Sequence, residues 1–202
     1  MSRTFILLFV ICGLCLSASA QDAPEPQTLV PGQPVEREIA GGESHNYRIA
    51  LQAGQFMRVV VEQKAIDVTL KLADPDGKQL VETNLTGVGD EEALSLEALT
   101  AGSYELTVRA IGAATMRGSY ELETTFRASA TEQDRKRLTA ETLLGEAREL
   151  GKPSGKTTLQ IIEKIQQALT LWRELGDPHW TAFSLWMFGD VYRDTNQFEK
   201  AL

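Results

Sequence analysis

Cys12 and Cys15 spell C-x-x-C, the spacing of a redox pair or of half a zinc site. Both lie inside the stretch 5–16, an unbroken run of apolar residues and glycine that follows the basic start Met1-Ser2-Arg3. A positive start, a short apolar core and then Ser17-Ala18-Ser19-Ala20 describe a secretory signal peptide over 1–20, cleaved after Ala20. As a helix the apolar core reaches about 18 Å, short of the roughly 30 Å of a bilayer interior, so no stable membrane insertion is expected after cleavage. Ile11 and Leu14 precede the cysteines where a lipid-attachment site would carry a small residue. Cleavage removes both cysteines, and with them disulfides, thiolate metal sites and cysteine nucleophiles.

The remaining chemistry is sparse. Asp74 and Asp76, with Asp90, Glu91 and Glu92 further on, offer the oxygen ligands that calcium takes. Their spacing matches no EF-hand loop, and Asp74-Pro75-Asp76-Gly77 is also what a tight turn requires. The turn is the preferred reading, so no metal or cofactor is expected, with Asp74, Asp76 and Asp90 kept as calcium candidates. His45 stands at a strand start and reads as a hydrogen-bonded structural residue. His179 follows Asp177-Pro178 at a helix–helix turn, where capping or exposure suits it better than general-base work. No triad and no outstanding carboxylate pair emerges among 28 acids, so no residue is assigned a catalytic role.

Gly151-Lys152-Pro153-Ser154-Gly155-Lys156-Thr157 looks like a phosphate loop but lacks its first glycine, since position 150 is Leu, and it follows a helix. It reads as a helix connector. Trp172, Trp180, Phe183, Trp186 and Phe188 recur at helical spacing, which points to buried packing and not to a ligand box.

The elements that would position these residues change character along the chain. Four of seven prolines fall in 21–34, an extended linker. Over 35–128 the apolar period is two: Tyr47, Ile49, Leu51; Met57, Val59, Val61; Val68, Leu70, Leu72; Leu94, Leu96; Tyr104, Leu106, Val108; Tyr120, Leu122. Turn residues separate the runs, as at Ala53-Gly54 and Ala101-Gly102. The pattern predicts an all-β sandwich, jelly-roll-like, of about seven or eight strands. Arg48, Arg58, Arg109 and Arg127 take the polar phases and are expected on a solvated face.

From Thr131 the period becomes 3.6. Thr131-x-x-Asp134 signals a helix start, and Ala140, Leu143, Leu144, Ala147 and Leu150 form its stripe. Ile161, Ile165, Ala168, Leu169 and Trp172 form a second stripe, and Gly176-Asp177-Pro178 ends that helix. A third is expected to bury Ala182, Leu185, Phe188, Gly189 and Tyr192.

Leu185-x-x-Phe188-Gly189-x-x-Tyr192, followed by Phe198 and Ala201, resembles the tetratricopeptide repeat, with Leu for the usual Trp and Phe for the usual Leu. Segment 131–202 then reads as incomplete repeats, and 182–202 as one that stops partway through its second helix. Ser44-His45-Asn46-Tyr47, Asp67-Val68-x-Leu70, Asp74-Pro75-Asp76-Gly77 and Gly102-x-Tyr104-x-Leu106 resemble the bacterial pre-peptidase C-terminal sandwich. The whole is similar to the N-terminal part of bacterial exported proteins that join such a sandwich to tetratricopeptide repeats, often with a caspase-like CHAT peptidase domain at the far end. That family's catalytic residues have no counterpart here.

The resemblance implies an exported, periplasmic or extracellular, non-catalytic binding or scaffold region that takes a protein or peptide through its repeats. The alternative is an accessory and regulatory part of a larger CHAT-type cysteine peptidase, with its catalytic domain beyond residue 202. Composition narrows the partners. Twenty Lys and Arg against 28 Asp and Glu give a net charge of −8. Residues 21–127 hold 17 of the acids and 9 of the bases. Nucleic acid is therefore not an expected partner.

Overall fold

The structure, a computed structural model, describes residues 26–151 and 158–194. The signal-peptide expectation, nearly all of the 151–157 connector, and Phe198 and Ala201 lie outside the described residues.

Among the described residues there are nine strands: β1 (Gln27–Thr28), β2 (Val35–Ala40), β3 (Ser44–Leu51), β4 (Phe56–Lys64), β5 (Val68–Ala73), β6 (Gln79–Thr83), β7 (Glu91–Glu97), β8 (Gly102–Ala110) and β9 (Arg117–Arg127). They form two sheets, ordered β1-β3-β8-β5-β6 and β2-β9-β4-β7. Every pairing is antiparallel except the short parallel one of β1 with β3. Leaving β1 aside, consecutive strands alternate between sheets except at the β5–β6 hairpin, which is the double Greek key of a jelly roll.

The alternation read from the sequence becomes the sandwich core. Tyr47, Ile49, Leu51, Met57, Val59, Val61, Val68, Leu70, Leu72, Leu94, Tyr104, Leu106, Val108, Tyr120 and Leu122 are all buried between the sheets. Each apolar side chain of this set stabilises the fold by about 1.5–3 kcal/mol through its removal from water. The extra strands are those with little alternation. β6 is a sheet edge with no fully buried residue. In β2 the buried residues are the consecutive pair Ile39-Ala40. Gln27 and Thr28, within the proline-rich stretch, pair with Tyr47 and Arg48.

Three helices follow among the described residues: α1 (Glu132–Gly151), α2 (Thr158–Leu175) and α3 (Pro178–Asp194). None of the described helices is long and apolar enough to cross a membrane. Thr131 and Asp134 close a reciprocal cap on α1. The Asp134 N–H donates to Thr131 Oγ1 at 3.2 Å, and Asp134 Oδ2 accepts from the Thr131 N–H at 3.0 Å. Gly176, at φ +64°, ends α2 in a Schellman turn, its N–H donating to Arg173 O and the Asp177 N–H to Trp172 O. Asp177 then caps α3, Oδ1 accepting from the Trp180 N–H at 3.1 Å, with Pro178 in the first helical position.

The helices pack on the outer face of the four-stranded sheet. Val60 of β4 and Ala93 of β7 point away from the sandwich core and join a second core with Ala140, Leu144, Ala147, Ile165, Ala168, Trp172, Trp180 and Met187. Trp172 and Trp180 stack at 5.5 Å between ring centroids. The stripes of α1 and α2 agree with the expectation. That of α3 does not: its buried residues are Trp180, Ser184 and Met187, while Ala182 and Leu185 are exposed. Trp186, expected to be buried, is 56% exposed. The aromatic content of α3 exceeds what one buried face can hold, so helical spacing alone misplaced the face by about one residue.

Candidate functional site

The side chains with chemical potential gather where the helices cover the outer sheet face. Arg58 of β4 stands opposite Ser95 of β7 and Thr125 of β9 in the strand register. Glu141 of α1 lies above them, and Arg58 Nε approaches Glu141 Oε1 to 3.5 Å. The expectation that Arg58 faces solvent is corrected. Its side chain is 21% exposed, because α1 lies across the polar phase of β4. Arg58 Nε, Ser95 Oγ and both Glu141 carboxylate oxygens are buried and approach one another without closing a hydrogen bond of ordinary geometry. Burial pushes the Glu141 carboxyl above its ordinary range, opposed mainly by the Arg58 charge.

Beside this cluster a cleft of about 470 Å³ opens between the sheet and the helices, lined by Phe56, Arg58, Arg127, Asp134, Arg137 and Trp180 among others. Its charges are matched. Arg127 pairs with Asp134, and Arg137 with Asp177 at 2.9 Å, its guanidinium lying 5.6 Å from the Trp172 ring centroid. Burial works against ionisation of Asp134, but hydrogen bonds from Thr131 and Arg127 outweigh it and hold the carboxyl below its usual range. His179 Nε2 meets Asp90 Oδ1 at 3.2 Å across the same boundary. Arg135 forks onto Glu97, and Arg148 donates to Leu85 O at 2.7 Å. The arrangement can fasten helices to a sheet and receive polar groups. It sets no nucleophile against a base.

His45 sits elsewhere, at the edge of the sandwich core. Its Nδ1 lies 2.8 Å from Tyr120 Oη, which is also hydrogen-bonded to Tyr47 Oη. Burial, then the nearby Arg37 charge, lowers the His45 pKa, and burial raises those of both tyrosines.

The calcium candidates do not converge, and no group of three carboxylates or imidazoles is placed to hold a metal among the described residues. Asp74 Oδ1 accepts from the Asp76 and Lys78 N–H groups at 3.0 and 2.9 Å, closing the turn in which Gly77 has φ +80°. Asp90 belongs to another loop, facing His179. Glu92 has a role that its neighbours in sequence did not reveal. Buried and pushed upward in pKa by desolvation, it accepts from Thr83 Oγ1, Leu85 N, Thr86 N and Thr86 Oγ1 at 2.6–3.1 Å. It binds the β6–β7 loop to β7. Acids beside two threonines nine and six residues away were the available signal, too common a pattern to act on.

Leu185, Phe188, Gly189 and Tyr192 lie along α3. Leu185 is 47% exposed, and the other three are half-buried. The Phe188 and Tyr192 rings stack at 6.2 Å, while the Trp186 ring lies 5.5 Å from that of Phe183.

No family model matches the chain. No curated protein matches it either. Solved structures do resemble it in fold. The pre-peptidase C-terminal domain of a Bacillus anthracis collagenase is 17% identical over 50% of this chain and 95% of its own, with a TM-score of 0.41. Aeromonas hydrophila PliG, a periplasmic inhibitor of g-type lysozyme, is 17% identical over 50% and 96%, with a TM-score of 0.38. CorA of Methylomicrobium album BG8, a surface-associated copper-binding protein, is 8% identical over 50% and 98%, with a TM-score of 0.43.

Proposed function

We propose that this chain is a non-catalytic exported binding region, in which a jelly-roll sandwich of the pre-peptidase C-terminal kind carries a tetratricopeptide-type helical segment that engages a protein partner. The observation that carries this reading is the aromatic and aliphatic face of α3. Leu185 and Trp186 stand about half exposed, with Phe183, Phe188 and Tyr192 beside them. Exposed Trp of this kind is enriched in the contacts that dominate protein interfaces. In this reading the sandwich occupies 35–128, the helical segment 131–202, and Leu185, Phe188, Gly189 and Tyr192 are repeat-signature residues. The signal peptide 1–20 delivers the chain beyond the inner membrane.

The test is photo-crosslinking from a benzophenone amino acid placed at position 186 in the full chain, expressed in a bacterial host that exports it. The expected result is discrete protein adducts in the exported fraction that disappear with Leu185→Asp. Adducts unaffected by Leu185→Asp, or none at all, would sink the reading. In the alternative, where the region regulates a CHAT-type peptidase, the adduct forms within the same polypeptide.

A further inference from the structure

β6 and β7 are the terminal strands of their sheets and approach each other, with α1 packed against β7. Between them runs a groove of about 710 Å³. Its floor is the free edge of β7 at 93–96 and of β6 at 80–83, and its wall is the face of α1 from Leu138 to Leu150. Among the described residues β7 pairs only with β4, so alternate backbone N–H and C=O groups along its other edge have no strand partner there. That wall spans twelve helical rises, about 18 Å, which is the length of five or six extended residues.

Gly145 sits mid-helix on this wall. A Cβ added there would meet nothing within 4 Å. Packing therefore does not require glycine at this position, although it costs the helix about 1 kcal/mol relative to alanine. The lining is apolar at Leu80, Val81, Leu96 and Leu138, and acidic at Glu82 and Glu146. Among the described residues Lys164 is the one cation of the lining; it pairs with Glu146, and Glu82 accepts from Gln79 Nε2, so the net charge of the lining stays negative.

We propose that this groove binds an extended segment of a partner protein with alternating apolar and basic side chains, added as a fifth strand on the free edge of β7. Main-chain hydrogen bonds to the edge supply affinity, and the acidic rim selects Lys or Arg at alternate positions. The surface is distinct from the α3 face and does not depend on it.

The probe is a fluorescein-labelled acetyl-Lys-Val-Lys-Val-Lys-Val-amide, titrated with the full chain by fluorescence anisotropy. Controls are the Glu-Val counterpart and a Lys-Val peptide N-methylated at alternate amides. Saturable binding is expected, about tenfold tighter than for either control. Gly145→Leu, which fills the groove with a better helix former, and Glu82→Lys, which reverses a rim charge, should each weaken it about tenfold. Gly145→Ala and Trp186→Ala should leave it intact, the second separating this site from the α3 face. Amide exchange at Ala93, Ser95 and Glu97 should slow on binding. Failure to bind below about 1 mM, equal binding of the Glu-Val peptide, or indifference to both groove variants would overturn the proposal.

Discussion

Arg58 and Glu141 pair across the boundary between sandwich and helices, and the structure sets what each replacement should do. Glu141→Leu removes one partner of a buried pair. Such truncations cost about 3–5 kcal/mol when the surviving charge is fully buried. Arg58 keeps 21% of its side-chain surface in water, so a loss at the lower end, about 3 kcal/mol, is expected. The double replacement Arg58→Met with Glu141→Leu removes both charges along with three of the four orphaned polar atoms. It should equal or exceed the wild type, by up to about 4 kcal/mol. Urea unfolding reads this as a shift in midpoint at unchanged slope.

The pH dependence gives a second reading of the same pair. The Glu141 carboxyl is raised in the folded state, so that state holds the proton more tightly than the unfolded chain does. Its contribution is fully present below the unfolded pKa, about 4.3, and is lost as pH rises through the folded value. The advantage of the double variant should therefore widen as pH climbs from about 4. A double variant less stable than both singles would refute the reasoning, as would a Glu141→Leu protein within about 0.5 kcal/mol of wild type.

Asp134→Ala should cost about 1–2 kcal/mol by removing the cap of α1 and the partner of Arg127, read from thermal unfolding at 222 nm. Because the Asp134 pKa is depressed in the fold, wild-type stability from this source is present above the unfolded value, about 3.9, and lost as pH falls below it. A variant with unchanged acid sensitivity would contradict that. Tyr120→Phe removes the hydroxyl that both Tyr47 and His45 engage and leaves the Tyr47 hydroxyl buried without that partner. A loss of about 1–3 kcal/mol in urea midpoint is expected, and a neutral outcome would mean that water takes over the bond.

Much of the sandwich was legible because its inner faces follow strict alternation. Tyr104, Leu106 and Val108 needed no information beyond their own phase. β2 and β6 were hidden for the opposite reason. An edge strand such as β6 buries little and carries no period, and β2 places its buried residues consecutively. Val60 was visible as an apolar residue on a polar phase, but that oddity alone does not say what covers it. Arg58 was misread for the same cause: burial of an outward face depends on an element more than 70 residues further along. On α3, with Trp, Phe, Leu, Met and Tyr on every side, the 3.6 period no longer selects a face, and tertiary contact decides. The loop-tying role of Glu92 depends on a three-dimensional meeting of hydroxyls and amides that no spacing rule encodes.

β4 and β7 each have two inner sides. Val59, Val61 and Leu94 belong to one core, and Val60 and Ala93, their immediate neighbours in sequence, to the other. A slip of one residue in the β4–β7 register would not merely turn a polar face inward, since it would exchange the occupants of two cores at once. Loss of the helices would bare Val60 and Ala93 on the sheet, so the two cores support each other through these strands. Sandwich and helices should lose structure in one concerted step, and strain applied at the helices is carried straight into the hydrogen-bond ladder of the sheet.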